Sequence, residues 1–357
     1  MPCFEVTTAQ RRYRALVERG ILARAGDYVP QRAGKLFVIT TEDVWSLHGR
    51  TLARGLEGLG HEVLFFHGGE DHKRLAEVER LAGEMVERGG DRSSIVLAFG
   101  GGVVDDVAGF VAAVFMRGIP VIQAPTTLLA QVDAGVGGKA GVNLVSGKNL
   151  VGAFHQPLVV LTDPDVLATL AEREYRAGIY EVIKCGVIRS ESLFRLMSER
   201  RHEVLARAPA AVDEMIAESV RIKAAVVSAD ERESDLRRIL NFGHTYGHAL
   251  EAETGYVRFL HGEAVAFGMK AAVHLARLSG LLAAADARSI IDTVDQYGPI
   301  PSIEGIRAEN LVARLAGDKK TLRGRVHFVL PVKIGDVKIV SGIEESMVLA
   351  AARAALE

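Results

Sequence analysis

Within residues 240–251 (LNFGHTYGHALE), His244 and His248 stand four apart, and His261 follows thirteen residues later in HGE. On a helix, positions four apart share a face, and imidazole is the commonest protein ligand for zinc-like ions. The pair lacks the glutamate beside the first histidine that a zinc protease helix carries, so protease chemistry is not implied. A lone helical histidine is ordinarily a hydrogen-bonded structural residue, but three in so short a span put a metal site on an equal footing. Glu181 and Lys184 sit on adjacent turns of residues 179–184 (IYEVIK). Spacing alone reads them as a surface ion pair. Their neighbours Ile179, Val182, Ile183 and Val187 argue against a solvated face, and a catalytic metal needs three protein ligands with one position left open.

A second constellation fills residues 100–157. The run 94–99 (SIVLAF) has the pattern of a buried strand and empties into Gly100, Gly101 and Gly102, followed by an apolar helix over 103–115. Such a turn lets a pyrophosphate reach the backbone and rest on the helix N-terminus, where unpaired N–H groups and the helix dipole favour anions. The dinucleotide fingerprint has a third glycine at the position held here by Asp105, which Asp106 follows, so a tight turn without a ligand is an equal reading of this cluster alone.

The elements that must position these groups follow two rhythms. Through about residue 160, strand-like runs at 36–40, 62–66, 95–99, 121–124 and 159–161 alternate with helical ones, among them 71–88 ending at Gly89-Gly90. That alternation implies a mostly parallel sheet covered by helices. After Asp163-Pro164, an N-cap followed by proline at the first helical position, strand patterns largely vanish. The segments 211–227 and 263–282 carry apolar residues at helical spacing, and 325–340 reads as a hairpin turning at Gly335-Asp336. The expected architecture is an α/β dinucleotide-binding, Rossmann-like domain over residues 1–162. A mainly α-helical metal- and substrate-binding domain over 163–357 follows it.

Composition limits the classes of function. The 357 residues are 48% hydrophobic and 25% charged, with a net charge of -2, which excludes a disordered or fibrous chain and gives no sign of nucleic acid or an anionic membrane as partner. Cys3 and Cys185 form neither a disulfide framework nor a metal pattern, as suits a reducing compartment. No membrane-length apolar run and no secretory signal stand in the sequence, so a cytoplasmic protein is expected.

Taken together, GGGVVDDVAGF, FMRGIP, PTTLLAQVDAGVGGKAGVN, SGKNLVGAFHQP, YEVIK, DERE, LNFGHTYGHALE, HGEAV and DKK resemble 3-dehydroquinate synthases of the sugar phosphate cyclase group, in order from about Glu70 to Lys320. The resemblance implies a homodimer that binds NAD and a divalent metal, zinc or cobalt. It also implies the second step of the shikimate pathway, conversion of 3-deoxy-D-arabino-heptulosonate 7-phosphate to 3-dehydroquinate and phosphate. The route would run through transient oxidation by NAD, β-elimination of phosphate, re-reduction, ring opening and an intramolecular aldol closure.

Carried over residue by residue, the resemblance gives the metal to Glu181, His244 and His261 and moves His248 to the substrate side. It gives NAD to Glu70, Lys73, Gly101, Gly102, Val103, Asp106, Thr126, Thr127 and Thr169, with Lys139 and Lys148 where the nicotinamide meets substrate. The substrate phosphate falls to Lys139, Asn149, His248, one of Lys319 or Lys320, and Arg117 of the partner subunit. The carboxylate falls to Lys223 and Arg237, and hydroxyls to Asp133, Lys184 and Asn241. Two departures stand out. Asp105 replaces a glycine beside the pyrophosphate turn, where a carboxylate repels unless it points away or meets a cation. Thr41 and Asp43 stand where an Asp and an Asn often contact the ribose.

Three other readings compete. A metal-dependent polyol or glycerol phosphate dehydrogenase shares the two-domain logic but turns over with net redox and leaves Lys223 and Arg237 without work. A related cyclase acting on a substrate without a carboxylate would have replaced Lys223, Arg237 or Asn241, all of which are present. A non-catalytic nucleotide-binding module has no use for ligand set and anion pocket together.

Overall fold

Strands buried on both faces are largely apolar, as in β3 (Leu36–Thr40), β5 (Ile95–Gly100) and β6 (Val121–Pro125), each buried at every position. With β1 (Cys3–Thr7), β2 (Arg12–Val17), β4 (His61–Phe65) and β9 (Val159–Thr162) they form a seven-stranded sheet in the order β1-β2-β9-β6-β5-β3-β4. All its pairings are parallel except β1 with β2. A second hairpin, β7 (Lys139–Leu144) with β8 (Gly147–Phe154), packs on helix α3 (Gly102–Val114). Helices α1 (Glu42–Gly55) and α2 (Leu75–Glu87) complete this α/β part, whose core joins Phe37, Ile39, Leu64, Leu81, Met85, Val107 and Val111.

The computed structural model describes residues 2–315 and 326–357. The chain divides into two compact units, Met1–Ala171 with Lys223–Arg232, and Glu172–Ile222 with Glu233–Glu357. The second unit holds α4 (Glu172–Arg189), α5 (Glu191–Glu199), α6 (Arg201–Leu205), most of α7 (Pro209–Ala229), α8 (His244–Glu253), α9 (His261–Leu278), α10 (Ala284–Gln296), α11 (Ala308–Leu315) and α12 (Glu345–Leu356). It also holds the hairpin of β10 (His327–Lys333) and β11 (Asp336–Ser341), which turns at Gly335 as its sequence demands.

The chain thus joins a parallel-sheet α/β part to a mostly helical one. Three local readings need correction. The helix expected over 71–88 starts only at Leu75, because residues 70–72 form a separate 3-10 turn whose carbonyls meet Lys73 and Arg74. Asp163 does cap, accepting from the N–H of Asp165, but the element it starts is a six-residue 3-10 turn, Pro164–Thr169. The carboxylate also accepts from the N–H groups of Gly20 and Leu22, so it ties loops together instead of starting a long helix. The hairpins β1-β2 and β7-β8 carried no clear strand signal. Most of β8 is only partly buried, and β1 is a short, largely exposed edge strand, so neither shows the apolar run that marks a central strand.

Candidate metal and dinucleotide sites

In the second unit, two glycines allow the approach that gathers the metal-binding side chains. A Cβ at Gly262 would stand 1.9 Å from the carbonyl oxygen of Ala177 on α4, and one at Gly268 would stand 1.8 Å from that of Gly243, the N-cap of α8. Helix α9 therefore packs backbone to backbone on both α4 and α8. Its first turn is pinned by Glu263, which accepts from the N–H of Leu260 at 2.8 Å and pairs with Arg173 at 2.7 Å. The glutamate of the HGE motif is thus a cap.

This packing brings Nε2 of His244 and Nε2 of His261 each to 3.9 Å from the same oxygen, Oε1 of Glu181. One ligand atom from each of the three residues lies within 4.8 Å of the other two. Three donors around one ion at bond lengths of about 2.0–2.2 Å stand roughly 3.4 Å apart, so a small inward movement completes a coordination sphere. The donor set fits the group: two imidazoles and a carboxylate suit zinc or cobalt. His244 donates Nδ1–H to the carbonyl of Phe242 at 3.1 Å, which leaves Nε2 as its ligand atom.

Glu181 and Lys184 do form an ion pair, and both are only 1% exposed. The surface pair that spacing suggests is instead a buried charge pair within α4, one that is costly to break. His248 touches both candidate ligands, edge-on to His244 with ring centroids 5.4 Å apart and tilted to His261 at 5.8 Å. Arg237 is among the largest fully buried side chains of the described residues, and Asn241 donates to Glu233 at 2.5 Å.

In the first unit the glycine turn lies where the sheet reverses its direction of growth. From β3 the chain adds β4 on one side, and β5 on the other side leads outward to β6. Ligands of open α/β sheets bind at the carboxyl ends of strands at such a point. Gly101 caps α3 there, Gly102 and Val103 open it, and Thr41 caps α1 at the end of neighbouring β3, with Asp43 in that helix's first turn. Thr126 donates its N–H to the carbonyl of Gly100 at 2.7 Å, and Thr127 Oγ1 accepts from Ala130 N–H at 3.2 Å. Thr169 meets His48 Nε2 at 2.8 Å.

A chain of side-chain bonds joins several expected contacts. Lys73, 2% exposed, donates to Asp106 at 2.5 Å and to Asn149 at 2.6 Å. Asn149 has a left-handed φ of 53° and donates its N–H to Asn143 at 2.8 Å, and Asn143 in turn donates to the Glu70 carboxylate at 2.8 Å. Lys223 donates to both the carbonyl and the carboxylate of Asp133. Lys139 is exposed at the start of β7, Lys148 is half-buried on β8, and Arg117 is exposed on the 3-10 turn Phe115–Arg117 with φ 71°. Lys319 and Lys320 lie outside the described residues.

Asp105 is 1% exposed, and neither carboxyl oxygen has a hydrogen-bond partner among the described residues. Burial raises its pKa well above the ordinary carboxylate range, Asp106 adds to the rise, and Lys223 opposes it. The rise weakens the repulsion of a pyrophosphate that the sequence alone suggests. Asp106 is also raised, again chiefly by burial, with Lys73 pulling the other way.

Two buried residues escaped the sequence reading. Asn143, 4% exposed, links Glu70 to Asn149, and Glu251, 3% exposed, reaches Nδ1 of His261 at 3.3 Å. Both stand inside quoted motifs, Asn143 ending KAGVN and Glu251 ending LNFGHTYGHALE. A polar residue at a strand or helix position that must be buried was the available signal.

Comparisons with known proteins converge. The family described as 3-dehydroquinate synthase N-terminal matches residues 63–177, and 3-dehydroquinate synthase C-terminal matches 178–321. The chain is 63% identical over 356 residues to a 3-dehydroquinate synthase of Solibacter usitatus (strain Ellin6076), covering 100% of both chains. Among solved structures, the 2-epi-5-epi-valiolone synthase ValA from Streptomyces hygroscopicus subsp. jinggangensis 5008, with NAD+ and Zn2+ bound, superposes with a TM-score of 0.89 at 30% identity, covering 98% of each chain. A 2-deoxy-scyllo-inosose synthase complexed with carbaglucose-6-phosphate, NAD+ and Co2+ gives a TM-score of 0.88 at 25% identity, covering 98% of this chain and 99% of that one. Among the described residues, no helix is long and apolar enough to cross a membrane.

Proposed function

The chain belongs to the 3-dehydroquinate synthase family, and from that premise we propose how its own residues serve the reaction. The chain is a phosphate-eliminating lyase that converts 3-deoxy-D-arabino-heptulosonate 7-phosphate to 3-dehydroquinate and phosphate, and NAD with a zinc or cobalt ion serves it. When bound, NAD supplies a hydride acceptor that is restored each turnover, and the metal supplies Lewis acidity at substrate oxygens.

Glu181, His244 and His261 hold the ion, and the Glu181–Lys184 pair fixes the carboxylate while Lys184 contacts a substrate hydroxyl. The first turn of α3, from Gly101 to Val103, offers backbone N–H groups to the pyrophosphate, and Thr126, Thr127 and Thr169 line the same cofactor. Glu70, Lys73 and Asp106 bind it through the chain that Asn143 closes, while Lys139 and Lys148 stand at its nicotinamide end.

Substrate is gripped at both ends. Lys139, Asn149, His248 and one of Lys319 or Lys320 take the phosphate, together with Arg117 of a second subunit in a homodimer. Lys223 and Arg237 take the carboxylate, and Asp133 and Asn241 orient hydroxyls. Before substrate arrives, Lys223 is held by Asp133, so one acid sets the place of the cation and then shares its ligand. His248 moves protons beside the metal, within ring contact of both imidazole ligands.

The observation that carries this reading is the convergence of Glu181, His244 and His261 in a chain that matches a family member end to end. Purified protein with NAD is expected to release inorganic phosphate from the heptulosonate, to lose that activity with a chelator and to regain it with zinc or cobalt, with no accumulation of NADH. Stoichiometric NADH would identify a dehydrogenase instead and overturn the assignment.

A further inference from the structure

The two imidazoles of the candidate metal site are held from behind by different acceptors. Behind His244 stands a neutral main-chain carbonyl, that of Phe242. Behind His261 stands a carboxylate: Oε2 of Glu251 lies 3.3 Å from Nδ1, while Nε2 of the same ring faces Glu181. Glu251 lies in the last turn of α8, three residues beyond His248, and is 3% exposed. A buried carboxylate is costly unless it is paired and hydrogen-bonded, so its place behind a ligand ring needs an account.

We infer that Glu251 is a positioning residue for the metal centre, fixing His261 with its proton on Nδ1 and strengthening Nε2 as a donor to the ion. A carboxylate that accepts from the far nitrogen of a ligating imidazole fixes the tautomer and ring orientation and raises basicity at the near one. His244, backed by a carbonyl, gains orientation with less added basicity. The two histidines are therefore unequal ligands, and His261 carries the larger share of the affinity.

Glu251 has a rival use. His248, Glu251 and His261 also place one ligand atom each within 4.8 Å of one another, the composition of a second cation site. For an ion bound through Nδ1 of His261 the two uses exclude each other, because that nitrogen cannot both donate a proton to Glu251 and bind an ion. A second ion there would require an imidazolate with dications on opposite nitrogens of one ring, and their mutual repulsion favours the single-ion arrangement.

The inference rests on Glu181, His244 and His261 being the metal site, and a metal titration without substrate tests it. Apo protein is titrated with zinc against a competing chelator, and with cobalt by its visible absorption, for wild type, Glu251→Gln and Glu251→Asp. Wild type is expected to take one ion per chain. Glu251→Gln should take one ion about 10–100-fold more weakly, with shifted cobalt bands, and Glu251→Asp should recover part of the loss.

Unchanged affinity in a folded Glu251→Gln protein overturns the inference. So does a wild type that binds two ions and loses only the weaker one on substitution. Should the variant fail to fold, imidazole nitrogen–proton NMR correlations of zinc-loaded wild type decide: an Nδ1 proton on His261 supports the role, and its absence overturns it. A His244→Ala protein that kept full metal affinity would refute the metal-site reading itself, a result distinct from either outcome for Glu251.

Discussion

At Glu181, His244 and His261 the second unit holds its donors by packing helices backbone against backbone, whereas at Glu70, Lys73, Asp106 and Asn149 the first unit holds its polar groups by side chains bonded to one another. The first arrangement stores its geometry in the positions of α4, α8 and α9. No single hydrogen bond carries it, and a lost methyl-sized clearance would move a whole helix. The second is a relay across the 3-10 turn at 70–72, α3 and the β7-β8 hairpin, and each link depends on the next. A metal site needs donors fixed before the ion arrives, and close-packed helices provide that. A dinucleotide site must exchange internal partners for a ligand's phosphates and hydroxyls, and paired side chains allow it. On the proposed assignment, a pair such as Lys73–Asp106, with the lysine buried and the aspartate half-buried, keeps its charges satisfied until then.

Removing the shared carboxylate tests the metal half most severely. Glu181→Gln is expected to abolish zinc binding in titration and to lower phosphate release by about 10³-fold or more, in line with several kcal/mol of Lewis-acid stabilisation. Because the change also takes the acid partner from buried Lys184, urea unfolding should show a loss of about 3–5 kcal/mol. Retention of metal affinity would break the claim that this oxygen is the pivot of the site.

Crowding the helix contact tests whether packing sets the site. In Gly262→Ala the new methyl would collide with the carbonyl of Ala177, so stability should fall by about 1–3 kcal/mol as α9 shifts. Zinc affinity should fall with it while NAD affinity measured by calorimetry stays unchanged. The reverse pattern is expected on cutting the relay in the first unit. Asn143→Ala should cost about 1–2 kcal/mol and weaken NAD, with zinc affinity unaltered. Were both variants to weaken both ligands equally, the contrast between the two designs would fail.

The smallest effect is expected at Asp105, and its signature is a slope. Its folded pKa lies above the unfolded value, so the native state binds the extra proton. The stability this confers is complete below the ordinary carboxylate pKa of about 4 and is lost as pH rises through the folded value, at up to about 1.4 kcal/mol per pH unit. Asp105→Asn should flatten that part of the profile and equal or exceed wild type in stability at neutral pH. Urea midpoints across the acid range measure it, and parallel profiles for the two proteins would show that Asp105 is ionised in both states.

Much of the fold was legible because burial leaves a local mark. The apolar runs of β3, β5 and β6 announced a parallel sheet, and the helical spacing within 211–227 and 263–282 announced the long helices α7 and α9. The β7-β8 hairpin was not legible. Its glycine-broken strands, β7 buried at its centre and β8 only partly buried, are stabilised by pairing and by contact with α3, neither of which leaves a periodic signal. Among the site residues, type and spacing marked the three histidines and the glycine turn. They left Asn143 and Glu251 unmarked, since one Asn at a strand end and one Glu in a last helical turn are ordinary on any surface.

Alone, the sequence determined which groups this protein has to work with: imidazoles and a carboxylate fit for a metal, a glycine turn fit for a pyrophosphate, and cations enough to grip an acidic sugar phosphate. The first two follow from residue chemistry and from short-range spacing along one element, and the third from the resemblance that the ordered motifs carry. Only the tertiary structure decided that His244 and His261, from different helices, face one oxygen of Glu181, and that Asp105 is buried with no hydrogen-bond partner among the described residues. The reason is physical: coordination geometry and desolvation are properties of atoms brought together through space, and glycines far apart in the chain set how closely the helices that carry them can pack.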